Sequence, residues 1–560
     1  MTSLLARAAA ALFAAAVACE AAAPLSGIIL YVPDELRAES MSVYGGPAAT
    51  PNFARLASDG TVFSNAFTTY PVCTQSRAAL LTGRFTHAGG HRTLWNPLRF
   101  HEPNLLRYAK NSTFSVSWYG KNDALDEASF NTSVTKSGDF GLGESGGLEY
   151  PDSDPRHYSF LASQPTWPVN KTGDAVNVAR ALADLAARNA SSPPFFVFLP
   201  LTAPHPPYGC AGQFYDMCVR TRARAGARRA PWWRATSRFH AAASAPHLPR
   251  RYKNAPVSLR PAGLPGHPDF HARTRFYRNA SAWPAGTLED VHRKYLGCVS
   301  FADDVFGGLL AGLDALGLYE STAIFVLADH GDYAGDYGLV EKWPSGLEDV
   351  LTRVPLIAKV PGGARGQTLT GLVQHMDVMQ TALDLMQAPA RHTHFSVSLL
   401  PQLLGAAPPD MARAAFAEGG YPTTAPRSHE GNCADPVTGA GTCTPGTIYY
   451  PKAYQEWHEP LTVANAAMVR THTHKLVRRS DVLDRDHDSE LYDLAADPRE
   501  LVNVYDNASY ADVRAQLSTM LLEWYMQTSD VVAGEAGSPV SPDELPRDMY
   551  EGSWPDTPGW

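Results

Sequence analysis

Cysteine is scarce in this chain: seven occur in 560 residues, Cys19, Cys73, Cys210, Cys218, Cys298, Cys433 and Cys443. So few cannot crosslink a chain of this length into a disulfide scaffold, so a hydrophobic core must hold the fold; 44% hydrophobic content is enough for a large one. Charge is sparse too. Charged residues make up 18%, acidic residues outnumber basic ones 56 to 47, and the formal net charge is -9. Without a basic excess, nucleic acid is not an expected partner. Long apolar runs are missing beyond the N-terminus, and no later segment reads as reaching the ~20 residues needed to cross a bilayer. The chain begins "MTSLLARAAAALFAAAVACEAAAPLSG", with Arg7 as its only early basic charge. Residues 1–23 read as a secretory signal peptide cut between Ala18 and Ala23, a membrane anchor being the alternative. That route leads to the extracellular space or to a lysosome or vacuole.

Several features fit such a route. Six Asn-x-Ser/Thr sequons, at Asn111, Asn131, Asn170, Asn189, Asn279 and Asn507, suit a glycosylated surface. Cys19 leaves with the leader or lies beside the cut. Cys210 with Cys218, and Cys433 with Cys443, are close enough in sequence to suggest local disulfides. Cys298 sits in an apolar helical pattern and reads as a core residue. Cys73 is left over, and an unpaired cysteine in a secreted chain calls for a chemical explanation.

Apolar runs alternate with amphipathic patterns. "GIILYV", "FSVSWY", "FFVFLP", "AIFVLA" and "PLIAKV" read as buried strands of a mostly parallel sheet. "TPNFARLASDG", "DAVNVARALADLAARNA", "HRKYLGCVSFADDVFGGLLAGLDALG" and "VMQTALDLM" read as helices between them. The expectation is an α/β domain over residues 24–400, a large doubly wound sheet with helices on both faces. Beyond it, "GTIYY", "AAMVRT" and "HKLVRR" read as short antiparallel strands and "YADVRAQLSTMLLEWYMQT" as a packing helix. These give a smaller α+β domain over residues 401–530, followed by a polar tail over 531–560. Residues 219–254 are rich in Arg and Ala without a period and read as a disordered insertion or a gene-model error rather than a basic docking loop.

In open α/β sheets ligands bind beyond the carboxyl ends of the strands. Asp34 and Glu35 follow the first run; Lys121, Asn122 and Asp123 follow the second; His205 follows the third; Asp329, His330 and Asp332 follow the fourth, with Lys342 and Arg353 farther on. Carboxylates from separate strands suit a divalent cation, and cationic side chains beside it suit a tetrahedral oxyanion. Cys73 opens the helix-forming run "SRAALLTG", where free N–H groups and the helix dipole favour an anion.

"CTQSRAALLTGR" resembles the signature of the type I, formylglycine-dependent sulfatases of the alkaline-phosphatase superfamily, Cys-x-Pro-Ser-Arg before a helix ending Thr-Gly-Arg. "IILYVPDELRAESMSVYG", "YGKND", "TAPHPPY", "ADHGDYAGDYGLVEKW", "TRVPLI" and "SELYDLAADPRELVNV" resemble further blocks of that family in order, from about Ser26 to Thr528. The resemblance implies that a formylglycine-generating enzyme converts Cys73 to formylglycine, whose hydrate attacks sulfur and then expels sulfate. It implies a divalent metal, Ca2+, among Asp34, Glu35, Cys73, Asp329 and His330, with Asp329 as base for the nucleophile. Arg77 would hold that nucleophile; Lys121, His205 and Lys342 would bind sulfate, with His205 or Lys342 protonating the leaving oxygen. The implied substrate is a sulfated small molecule or glycan.

Three residues depart from the pattern. Gln75 replaces the usual Pro or Ala of the signature, Glu35 the commoner Asp, and Asp123 a histidine. The last leaves the second acid/base to another residue, such as His375, or to His205 alone. A phosphodiesterase or phosphonate monoester hydrolase, or an inactive sulfatase-like binding protein, are the alternatives. Substrate choice is expected to lie in loops such as Gly138–Lys171 and the Arg-rich insertion.

Overall fold

The computed structural model describes residues 25–138, 146–218, 252, 256–421, 445–480 and 488–529. The leader, the tail, Cys433, Cys443 and all of the 219–254 insertion except Tyr252 lie outside the described residues.

Four of the apolar runs become neighbouring parallel strands at the centre of one sheet: β1 (Gly27–Pro33), β3 (Ser115–Trp118), β5 (Phe195–Leu201) and β6 (Thr322–Leu327). Helices cover the strands on both faces, so every residue of β1, β5 and β6 is buried. The spatial order is β4-β3-β5-β1-β6-β8-β2-β7, with β9 beside β2. Here β2 is Thr61–Phe67, β4 Lys136–Ser137, β7 Arg353–Val354, β8 Leu356–Lys359 and β9 Gln367–Gln374. The run at 355–360 forms β8 but pairs antiparallel with both β6 and β2. Arg353 is likewise drawn away from the strand-end cluster: it lies in β7, with Nη2 on the Ser64 carbonyl at 2.7 Å.

Helices Pro51–Asp59, Gly173–Ala186 and Thr287–Ala315 pack together, and helices Cys73–Thr82, Leu105–Asn111 and Asp377–Leu385 form a second group. Thr287–Ala315, at 29 residues, is long and apolar enough to cross a membrane, contrary to the expectation that no later segment would be. Its apolar window is 83% buried, as befits a helix covered on most sides inside a large core. Asp303, midway along it, accepts the backbone N–H groups of Asn52 at 3.0 Å and Phe53 at 2.7 Å. That caps helix Pro51–Asp59, whose own Thr50 makes no side-chain cap.

The smaller sheet is antiparallel throughout, in the order β10 (Ala415–Gly419), β11 (Ala466–Arg470), β12 (His474–Arg479), β13 (Glu490–Asp493). Helix Ala511–Thr528 buries Leu517, Leu521 and Trp524 against it. The expected strand "GTIYY" does not form. Residues 446–449 turn, and Pro451, at the first turn of helix Tyr450–His458, starts a helix there.

Cys210 and Cys218 are not joined; both are buried free thiols, as is Cys298. Cys218 Sγ points at the Phe214 carbonyl, 3.2 Å away, while Cys210 hydrogen-bonds Cys298 from the long helix. Five sequon asparagines are exposed, and Asn170 is half-buried.

Candidate active site

Because β3, β5, β1 and β6 are adjacent and parallel, the residues after their carboxyl ends meet at one edge of the sheet. Asp34 follows β1 directly, its N–H on the Leu201 carbonyl of β5. Glu35 sits at φ 64°, a left-handed conformation uncommon outside glycine, which costs about 1–3 kcal/mol and persists only where neighbours fix it. They do so from both sides: Glu35 N–H donates to Asp329 Oδ1 at 3.1 Å, and Tyr295 of the long helix donates its hydroxyl to the Glu35 carbonyl at 2.7 Å. The His205 loop is tied down by Asp174, whose carboxylate accepts the N–H groups of Thr202 and Ala203 at 2.8 and 2.9 Å.

Cys73 is the first residue of helix Cys73–Thr82, all ten residues of which are buried. Its Sγ lies 3.3 Å from His330 Nε2, 3.6 Å from Asp34 Oδ1 and 3.8 Å from Lys121 Nζ. Burial, reinforced by Asp34, pushes the thiol well above its ordinary value, so unmodified Cys73 is a protonated and poor nucleophile.

Arg77, one turn on and fully buried, bridges the two carboxylates: Nη2 to Asp34 Oδ2 at 3.1 Å and Nε to Asp329 Oδ2 at 2.9 Å. Burial alone would raise the Asp34 carboxyl, but Lys121 and Arg77 together hold it well below its usual range. Ligand atoms of Asp34, Cys73, Asp329 and His330 all lie within 4.8 Å of one another. His330 Nδ1 faces the Gly331 carbonyl at 2.8 Å, which puts the proton there and leaves the Nε2 lone pair facing Cys73. This donor set of two carboxylates, one thiol and one imidazole fits a divalent cation.

Glu35 belongs to a second, overlapping group with Asp34, Cys73 and His205. Its carboxyl turns toward the cations: Oε1 lies 2.5 Å from Lys342 Nζ and 3.3 Å from His205 Nε2. Burial, with Asp332, Asp34 and Glu341 nearby, raises its pKa against the pull of Lys342. Lys342 is nearly buried, which by itself would lower its pKa, yet the carboxylates of Glu35 and Glu341 outweigh that and keep it charged. His205 is pushed the other way, by burial and by Lys342 and Lys121.

Lys121 is shared between Asp34 Oδ2 and Asp123 Oδ2, each at 2.8 Å. Asp123 therefore serves as a counter-charge. His375 does not take up the vacant acid/base role: it is buried behind the Cys73 helix, Nε2 on the Ser76 hydroxyl at 2.9 Å, and burial lowers its pKa to about 4. Asp332 likewise faces inward, taking the Tyr208 hydroxyl on both oxygens at 2.8 Å. Gln75 is buried, its amide donating to the Arg92 carbonyl at 3.0 Å.

Sequence reasoning missed Tyr208, Glu341 and Tyr449. Tyr208 also accepts the Glu341 N–H at 2.9 Å. Glu341 accepts from Lys452 at 3.1 Å and Arg278 at 3.0 Å and lies 3.3 Å from Lys342. Only its position beside Lys342 hinted at a role for Glu341; nothing local marked the other two.

Several known proteins resemble this chain. "Arylsulfatase K" of Gallus gallus is 25% identical over 471 residues, 80% of this chain and 72% of that protein. "N-acetylglucosamine-6-O-sulfatase" of Bacteroides thetaiotaomicron is 24% identical over 555 residues, 90% of this chain and 87% of that one. The crystal structure of the phosphonate monoester hydrolase of Agrobacterium radiobacter superposes with a TM-score of 0.67 at 20% identity, covering 90% of this chain and 96% of that one. Residues 410–527 match the family model for the N-sulphoglucosamine sulphohydrolase C-terminal region. Residues 27–388, well over half of the chain, match the sulfatase family model, and the chain belongs to the sulfatase family, the sulfuric ester hydrolases.

Proposed function

We propose that the protein hydrolyses a sulfate ester of a carbohydrate with formylglycine at position 73. The observation that carries this reading is Cys73 itself: a buried helix-start thiol, suppressed as a nucleophile, set among Asp34, His330 and Lys121. Formylglycine, made from Cys73 by a formylglycine-generating enzyme, would supply the nucleophilic hydroxyl, and a bound divalent cation such as Ca2+ would polarise the sulfate and acidify that hydroxyl.

In this reading Asp34, Asp329 and His330 hold the cation, and Glu35 faces the substrate side of the same cluster. Arg77, one helical turn from position 73, pairs with both Asp34 and Asp329 and keeps a buried Nη1 without a hydrogen-bond partner, with which it orients the nucleophile. Lys121 and Lys342 neutralise sulfate charge. Lys342, charged and 3.4 Å from His205 Nε2, is the proton donor to the leaving oxygen. His205, whose Nδ1 is fixed on the Pro206 carbonyl, acts as its relay. A carbohydrate substrate is supported by the relative that acts on N-acetylglucosamine-6-O-sulfate by name. The leader and sequons support a secreted glycoprotein.

Mass spectrometry of tryptic peptide 56–77 from protein made in a eukaryotic secretory host tests the reading, together with turnover of a sulfate monoester against a phosphate diester. An aldehyde at position 73 and faster sulfate-ester hydrolysis are expected. An intact thiol in folded protein would remove the formylglycine mechanism and favour a binding protein. Faster diester turnover would assign phosphodiesterase chemistry instead.

A further inference from the structure

The turn at 446–449 and the helix after it reach back from the smaller half of the molecule to the mouth of the site, where three contacts hold them. His157 Nε2 hydrogen-bonds the Gly446 carbonyl at 2.8 Å. Lys452, buried, donates to Glu341 beside Lys342. The Tyr449 ring packs edge-on against Phe160, centroids 5.1 Å apart, and Phe160 in turn carries the Arg278 guanidinium. His157 and Phe160 belong to the 138–171 loop expected to wall the pocket.

Tyr449 is thus rigidly supported, yet its hydroxyl has no hydrogen-bond partner among the described residues, and its side chain stays partly exposed. Three residues on, Lys452 reaches Glu341 at 3.1 Å, and Glu341 lies 3.3 Å from Lys342, so the helix start that carries Tyr449 sits at the rim of the anion-binding cluster. Lys121, His205 and Lys342 all contact the site carboxylates directly, whereas the Tyr449 ring lies on Phe160 of the 138–171 loop, one layer farther out.

We infer that Tyr449 binds the leaving group: its ring walls the subsite and its hydroxyl donates to a hydroxyl of a cyclic, polyhydroxylated ester. A purely apolar leaving group would cover that donor without pairing it, which costs affinity; a sugar offers C–H groups to the ring and oxygens to the hydroxyl. The inference rests on the sulfatase reading.

Steady-state kinetics of wild type, Tyr449→Phe and Tyr449→Ala on glucosamine 6-sulfate and on 4-nitrophenyl sulfate test it. Tyr449→Phe is expected to raise KM for the sugar sulfate about 3- to 10-fold with kcat little changed, and to leave 4-nitrophenyl sulfate unaffected. Tyr449→Ala is expected to weaken both. Equal effects of Tyr449→Phe on the two esters, no effect on either, or a wild type that cleaves only the aryl ester would overturn it. A wild type inactive on both would instead bring down the sulfatase reading, and this inference with it.

Discussion

Lys342 shows how a single side chain is kept fit for proton donation. Burial alone would strip its proton, but Glu35 at 2.5 Å and Glu341 at 3.3 Å hold the charge in place. Lys342→Met is therefore expected to lower kcat on an alkyl sulfate by about 100- to 10,000-fold, the usual worth of a positioned acid. On 4-nitrophenyl sulfate, whose leaving oxygen needs no proton, the loss should be far smaller; an equal loss on both esters would make Lys342 a sulfate-binding residue only. The carboxylates on the other side of position 73 give a second prediction. Asp34 and Asp329 are fully buried and share one guanidinium, so a bound cation relieves their repulsion. Chelator treatment is expected to abolish turnover and lower the unfolding temperature together, and Ca2+ should restore both. Full activity in metal-free protein would show that Arg77 and Lys121 balance the pair without a cation.

At the scale of elements, the site depends on how strands end. Lys121 reaches its place because Gly120, at φ 135°, lets the chain leave β3 against β5; a Cβ there would stand 2.1 Å from the Pro200 carbonyl, which itself accepts the Lys121 N–H at 2.8 Å. Gly120→Ala is expected to cost about 1–3 kcal/mol in chemical unfolding and to raise KM by displacing Lys121. Gly45→Ala, at φ 82° with nothing within 4 Å, should cost only its backbone strain and leave KM alone. The strands that carry the site were readable because both faces are covered, which makes continuous apolar runs of them. β2 and β9 were not, since TVFSNAF and QTLTGLVQ are only partly buried and polar residues interrupt them. The antiparallel direction of β8 was also hidden, because an apolar run carries no direction. Asp34, Lys121, His205 and Asp329 could be found from strand ends alone. Tyr208 and Tyr449 could not, as their contacts with Asp332 and Phe160 span more than 100 residues, and Glu341 was hinted at only by its place beside Lys342. Asp123 was visible as a departure, but its pairing with Lys121 was not.

Across the whole molecule, the two sheets are joined at Glu418 of β10. Its N–H donates to the Thr69 carbonyl, four residues before Cys73. Its buried carboxylate accepts the His87 N–H at 2.9 Å and pairs with Arg92 Nη2 at 2.8 Å, while His87 Nε2 reaches Thr528 on the C-terminal helix at 2.9 Å. Burial would raise the Glu418 carboxyl, yet Arg92 and His87 bring it down from 4.5 to about 2. An acid held below its unfolded value gives stability that is complete above the unfolded pKa and is lost as pH falls through the folded one. The pH window here is therefore about 4.5 down to 2, and the shift corresponds to about 3 kcal/mol. Glu418→Gln is expected to lose about that much at pH 7 by urea unfolding, and its deficit against wild type should shrink steadily between pH 4.5 and 2. A deficit that stays constant over that range would mean that lost packing or hydrogen bonding, rather than the carboxylate charge, joins the two sheets at this point.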